Sequence, residues 1–274
     1  MVDSSAAQEL GVAVAQFAPG TDQAANLADM RELAATAVAR GAGIVVFPEY
    51  SAFFEKRMGE ASLAAAEELD GPFVTALDRL AVDLGVHIVA GMLERTDDPA
   101  RVQNTIVALA PTGQIVARYR KLHLYDAFGS RESDRVRAGV IEEPETFEVG
   151  GVAVGLQTCY DIRFPEVTRR LVDAGAELVL VPAEWVPGPL KEQHWRTLMT
   201  ARALENTIYL AAADHAPPGG VGASMVVDPM GVELATLGAT TDVALAWISL
   251  SRLAEVRRVN PALALRRFGV VPLP

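Results

Sequence analysis

The chain is predicted to fold as an α/β layered domain. Short apolar runs alternate with segments of helical period, turn residues punctuate them, and no linker, low-complexity tract or repeat divides the series. At 274 residues, half of them apolar, it can bury a large core as a single domain. Only 6% of residues are aromatic, so that core is expected to be mostly aliphatic.

Residues 12–17 read as a strand that Pro19-Gly20 ends, and Thr21 is placed to cap the following helix. That helix spaces Leu27, Met30, Leu33, Ala34 and Ala37 at near-helical intervals and closes at Gly41 and Gly43. A buried strand follows at 44–47. A second helix begins after Gly71-Pro72, keeps Phe73, Leu77, Leu80, Ala81 and Leu84 on one face, and ends at Gly85. Strands are expected at 86–92, 105–110 and 114–120, the last two joined by the turn Pro111-Thr112-Gly113.

Residues 121–148 have no clean period and many charges, as functional loops often do. The α/β theme then resumes with strand 152–157, helix 165–174 stopping at Gly175, strand 177–181 and a helix near 194–206. Strands at 208–213, 224–228, 232–236 and 244–249 complete the core, with hairpins rather than crossovers expected after Gly219. Two stacked sheets flanked by helices fit this order; periodicity alone does not fix the topology.

Charge and cysteine content narrow the function. Against 24 Lys and Arg stand 35 Asp and Glu, a net charge of −11 that repels phosphate backbones and anionic membranes alike. Neither nucleic acid nor a membrane is therefore expected as a partner, and the pairs Arg257-Arg258 and Arg266-Arg267 read as solvated surface. The single cysteine cannot form an intrachain disulfide, which suits a reducing cytoplasm. Residues 1–9 lack a basic segment leading into an apolar one, so no secretory signal is expected. The longest apolar runs, 44–47 and 178–181, are too short to span a bilayer.

Three residues at strand ends could carry chemistry. Cys159 follows strand 152–157, where α/β folds gather ligands, and its neighbours Thr158, Tyr160, Asp161 and Arg163 are polar. A turn into the next helix would aim N–H groups at it; the alternative is a small buried hydrophobe. Glu49 follows strand 44–47 and reads either as a surface charge or as a desolvated base whose pKa burial raises. Lys121 ends a third strand and is either solvated or catalytic. A Cys–His dyad with His123 is less favoured than a packed histidine, because nothing around Cys159 is papain-like. The histidines lack zinc-ligand spacing, so no metal is expected, and Gly219-Gly220-Val221-Gly222 reads as a turn.

Taken together, three segments resemble the signatures of the nitrilase, or carbon–nitrogen hydrolase, superfamily. They are Phe47-Pro48-Glu49-Tyr50, Tyr119-Arg120-Lys121-Leu122-His123-Leu124 and Thr158-Cys159-Tyr160-Asp161-Ile162-Arg163-Phe164-Pro165-Glu166. Glu49, Lys121 and Cys159 stand 72 and 38 residues apart, gaps that also agree. The likeness includes His194-Trp195, Ala201-Arg202-Ala203-Leu204-Glu205 and Ser224-Met225-Val226-Val227-Asp228-Pro229-Met230-Gly231, and extends from about 12 to 258. We read one domain over residues 1–274, its core at about 10–258 and a C-terminal tail at 259–274.

The resemblance implies a four-layer α-β-β-α sandwich, homodimeric or larger, and an amidase related to those acting on ω-amides or deaminated glutathione. It makes Glu49 the general base, Cys159 the nucleophile and Lys121 the cation beside the oxyanion. Glu132 is the best match to a second glutamate, against an alternative in which it pairs with Arg131 or Arg135. Lys121 would favour the thiolate, and Lys121 with the Tyr160 N–H would hold the oxyanion. No cofactor is needed. Arg163 either grips a substrate carboxylate or pairs with Asp161 or Glu166. Ala183-Glu184-Trp185 departs from those amidases, and Glu184 near a pocket lined by Trp185 could reject an anionic substrate. A nitrile or N-carbamoyl hydrolase, or a noncatalytic scaffold, are the alternatives.

Overall fold

A computed structural model describes residues 9–273; residues 1–8, on which the reading of the N-terminus mostly falls, and residue 274 lie outside it. The elements in order are β1 (Glu9–Gln16), α1 (Gln23–Ala39), β2 (Ile44–Val46), α2 (Glu60–Ala64), α3 (Pro72–Leu84), β3 (His87–Arg95), β4 (Val102–Leu109) and β5 (Ile115–Arg120). They continue with β6 (Thr146–Val149), β7 (Val152–Leu156), α4 (Pro165–Asp173), β8 (Leu178–Ala183), α5 (Lys191–Asn206), β9 (Tyr209–Asp214), β10 (Met225–Val227), β11 (Glu233–Thr236), β12 (Asp242–Ser249) and α6 (Leu250–Val259).

These strands form two six-stranded sheets, ordered β12-β1-β2-β3-β4-β5 and β11-β10-β9-β8-β7-β6. Parallel pairs lie at the centre of each: β1 with β2 and β2 with β3 in the first, β7 with β8 and β8 with β9 in the second. Such strands are covered on both faces, which explains their unbroken apolar runs. Side chains between the sheets include Val12, Ile44, Val89 and Ile106 from one, and Val154, Leu178, Leu180 and Ala211 from the other. On the outer face of the first sheet, Met30 and Ala34 of α1 and Phe73 and Leu77 of α3 pack against Ala13, Val45 and Ile88. On the outer face of the second, Leu171 of α4 and Trp195 and Met199 of α5 pack against Val179 and Leu210. The layers are therefore α-β-β-α, and the core is largely aliphatic as expected. Among the described residues no helix is long and apolar enough to cross a membrane.

Several boundaries differ from the sequence reading. The cap of α1 is Asp22 rather than Thr21, because its carboxylate accepts from the N–H groups of Ala24 and Ala25. Gly85 ends α3 in the left-handed region, as its lack of a Cβ permits. The expected hairpins hold for β9-β10-β11. The last strand does not stay in that sheet: β12 crosses over and pairs antiparallel with β1 along its full length, from Glu9 opposite Ser249 to Gln16 opposite Asp242. Its alternating burial suits one face on the core. The helices α2 and α6 and the strand β6 were not expected.

Candidate active site

The site lies at the carboxyl ends of β2, β5 and β7, where the three motifs meet. Past β2 the chain stays bonded to β3: the Phe47 N–H donates to the Val89 carbonyl, the Gly91 N–H to Pro48 and the Ala52 N–H to Gly91. Gly91 permits this approach. A Cβ there would lie 2.5 Å from the Tyr50 nitrogen and 2.7 Å from the Glu49 Cα. Behind Glu49, His215 Nε2 lies 2.6 Å from the Glu49 carbonyl oxygen and donates to it. Burial lowers the His215 pKa to about 4, so the ring is neutral.

Glu49 and Lys121 are both buried, with 1% and 2% of their surface exposed. Lys121 Nζ donates to Glu49 Oε1 at 2.9 Å and reaches Glu132 Oε2 at the same distance. Glu132 also accepts from the Tyr50 hydroxyl at 2.5 Å and from the Tyr125 N–H at 2.6 Å. Asn104 Nδ2 donates to Glu49 Oε1 at 2.5 Å and to Glu132 Oε1 at 3.2 Å. The remaining Glu49 oxygen accepts from the Glu184 N–H at 2.7 Å. Glu132 thus joins Lys121 and not a neighbouring arginine; Arg131 pairs with Asp134, and Arg135 with Glu60.

Charge balance explains the titration of this cluster. Burial alone would lower the Lys121 pKa, but Glu132 and Glu49 outweigh it and hold the pKa well above its usual value. Burial would raise Glu132, yet Lys121, the Tyr50 hydroxyl and the Tyr125 N–H hold it below the usual carboxylate range. The site therefore contains a fixed ammonium, Lys121, held against an ionised Glu132.

Cys159 begins a 3-10 turn, Cys159–Arg163, that links β7 to α4. Its φ of 45° is in the left-handed region, uncommon for a residue with a side chain and characteristic of strained functional turns. The Sγ points to the Glu184 carbonyl at 3.3 Å. Burial pushes the thiol pKa well up, Glu49 adds to that, and Lys121 opposes it. Lys121 thus favours the thiolate as expected, but burial and the nearby carboxylates outweigh it and leave the thiol pKa raised.

The turn spreads the other expected residues around the thiol. Tyr160 packs edge-on to Tyr125 and Phe164, with centroids 5.1 and 5.4 Å away. Arg163 pairs with neither Asp161 nor Glu166. Its guanidinium carbon lies 4.8 Å from the Trp185 ring centroid, and Nη2 lies 3.3 Å from His194 Nδ1. Asp161 is instead taken by the Tyr119 hydroxyl at 2.7 Å and by His123, whose Nδ1 is 2.7 Å away. That ring also stacks on Phe164 at 3.7 Å, so His123 is a packed histidine.

Glu184 and Trp185 follow β8. The Trp185 N–H donates to Asp214 Oδ1 at 2.7 Å, and its indole N–H to the Lys191 carbonyl at 2.8 Å. Burial, Glu49 and Asp214 all push the Glu184 pKa well up, which favours its neutral form. A carboxyl held toward its neutral form repels an anion less than an ionised one. A separate groove of ≈ 520 Å³ lies beyond His123 and Phe164, against Val271 and Leu273, and contains neither Glu49, Lys121 nor Cys159.

Sequence reasoning missed Asn104, Tyr50, Gly91 and His215. Asn104 had a signal, since Gln103-Asn104-Thr105 places three polar residues in a strand buried along its whole length. Tyr50 adjoins a motif glutamate. Nothing marked Gly91 or His215 in advance.

Residues 11–258 match the family described as carbon-nitrogen hydrolase. Among similar proteins, hydrolase MT0498 of Mycobacterium tuberculosis (strain CDC 1551 / Oshkosh) is 40% identical over 90% of this chain and 91% of its own. The deaminated glutathione amidase of Escherichia coli O157:H7 is 39% identical over 94% of this chain and 97% of its own. Among solved structures, a mutant of the amidase from Nesterenkonia sp. AN1 shows the result of Michael addition of acrylamide at the active site cysteine. It is 27% identical in sequence, with a TM-score of 0.77 over 93% of this chain and 100% of that one.

Proposed function

The chain belongs to the carbon–nitrogen hydrolase family, and from that premise we propose that it cleaves the C–N bond of a small linear amide through a thioester on Cys159. What supports the reading most is the closed cluster of Glu49, Lys121 and Glu132, whose charges all act on the one cysteine the chain contains. Glu49 removes the thiol proton as sulfur attacks the amide carbon. The oxyanion that forms faces the Lys121 ammonium and the Tyr160 N–H. One well-placed donor of this kind contributes about 3–4 kcal/mol. Glu49 then gives its proton to the departing nitrogen, the C–N bond breaks, and ammonia or an amine leaves. A water deprotonated by Glu49 attacks the thioester, releasing the carboxylic acid and regenerating the thiol.

Glu132 holds Lys121 in place and shares with Glu49 the task of keeping it charged. Tyr160, Arg163, Glu184 and Trp185 bind the substrate, and Arg163, without a carboxylate partner, suits an acyl group that bears one. We place the protein in the cytoplasm as a homodimer or larger homo-oligomer of single-domain chains. The lone cysteine and the exposed apolar tail residues Phe268, Val271 and Leu273 support this. The net charge of −11 speaks against nucleic-acid partners.

Incubation with panels of amides, N-carbamoyl compounds and nitriles, followed by ammonia detection, tests the activity. Turnover of amides is expected. Turnover confined to nitriles would refute it.

A further inference from the structure

Beyond the Glu49–Lys121 cluster the site holds two cations that have no anion. Lys191 is the first residue of α5 and is 5% exposed. Its Nζ donates to the Tyr125 hydroxyl at 2.9 Å and lies 4.6 to 4.9 Å from the ring centroids of Phe128, Tyr125 and Trp185. Arg163 shares two of these rings, at 4.8 Å from Trp185 and 5.6 Å from Phe128. Its Nε is buried without a partner. Among the described residues, neither cation has a carboxylate within 4.0 Å.

Three features around Lys191 disfavour a resting positive charge: burial, Arg163 and the helix start. Burial removes water from the ammonium, and Arg163 repels it. The start of a helix carries the positive end of its dipole, where cations are unfavourable. The preceding residue, Leu190, has a φ of 61°, a conformation that glycine would adopt more easily. Cation–π contacts with three rings offset this only in part. An anion entering between the two cations would relieve the desolvation, the repulsion and the dipole together. The subsite also adjoins the chemistry, since Arg163 ends the turn that Cys159 begins and both cations lie over Trp185, the residue after Glu184.

We propose that Lys191 and Arg163 form an anion subsite for a carboxylate on the acyl half of the substrate, with Lys191 the residue that selects such amides over neutral ones. This rests on the amidase reading, and extends it to a residue that no motif contains. The arginine fork supplies geometry, and the lysine supplies a second charge that a neutral acyl chain cannot use.

The test compares glutaramate with valeramide, which has a methyl group in place of the carboxylate. For Lys191→Met, the ratio of kcat/KM for glutaramate to that for valeramide is expected to fall about 30-fold, mainly through KM, which corresponds to about 2 kcal/mol. Lys191→Arg should restore most of the ratio. Equal losses on both amides, or an unchanged ratio, would overturn the assignment. Calorimetric binding of glutarate in the Cys159→Ala background reads the subsite without chemistry. Binding weakened about 10-fold or more by Lys191→Met supports it, and undiminished binding refutes it. A protein that hydrolyses neither amide yet binds glutarate through Lys191 would sink the amidase reading and leave the subsite standing.

Discussion

The two ends of the site are built on opposite principles. At the Glu49 end, each charge has its complement: one ammonium, two carboxylates, and donors from Asn104, Tyr50, Tyr125 and the Glu184 backbone. At the Lys191 end, two cations face aromatic rings and a histidine ring nitrogen. A closed network fixes geometry before substrate arrives, which is how buried donors stabilise a developing charge at little cost in reorganisation. An open pair of cations is completed only by what binds. The first end is suited to act alike on every substrate, and the second to discriminate among them.

Substitutions should separate the two. Cys159→Ala is expected to remove the nucleophile and lower kcat by about 10⁴-fold or more while the fold and its melting temperature persist. Wild-type rates in that variant would rule out covalent catalysis through this residue. Asn104→Leu leaves Glu49 and Glu132 each short of a donor and should lower kcat by about 10²- to 10³-fold, as hydrogen bonds to buried charges imply. The loss should be equal for glutaramate and valeramide. If Asn104→Leu instead shifted their ratio as Lys191→Met is expected to, the division between the two ends would collapse.

The last effect concerns stability. His215, with a folded pKa of about 4 against an ordinary 6.5, is neutral in the fold, whereas the unfolded chain takes up a proton below 6.5. Above that pH the ring is neutral in both states and adds no pH dependence. Stability then falls as pH drops from 6.5 toward 4, by at most about 3 kcal/mol, and levels off below. Unfolding by urea at pH 7 and pH 4.5 should show a smaller loss for His215→Gln, which can still donate to the Glu49 carbonyl. An equal loss in both proteins would show that His215 is not buried in its neutral form.

Most of the fold and the chemical end of the site could be read in the sequence, while the selective end could not. Strands buried on both faces announce themselves as apolar runs, and Glu49 and Cys159 each stand just past one, whereas Lys121 follows the largely exposed edge strand β5. The helix α2 has five residues, too few for a period to show, and β6 is a four-residue edge strand. In α6 only Leu253 and Val256 are buried, so its pattern is thin. Lys191 carried no signal, because a lysine ahead of a helical run reads as solvent-facing; only the approach of Tyr125, Phe128 and Trp185 from two distant loops encloses it. His215 and Gly91 likewise matter through neighbours far away in the chain.

The pairing of β12 with β1 has a consequence for how the molecule is made. Until residue 249 has been synthesised, β1 is the unpaired border of its sheet, with seven of its eight residues destined for burial. Pairing of such wide separation is slow to form, and a bare apolar border invites other chains. Nascent or truncated forms lacking 242–249 should therefore depend on chaperones and precipitate readily, although the residues that would carry out the chemistry have all been made by then.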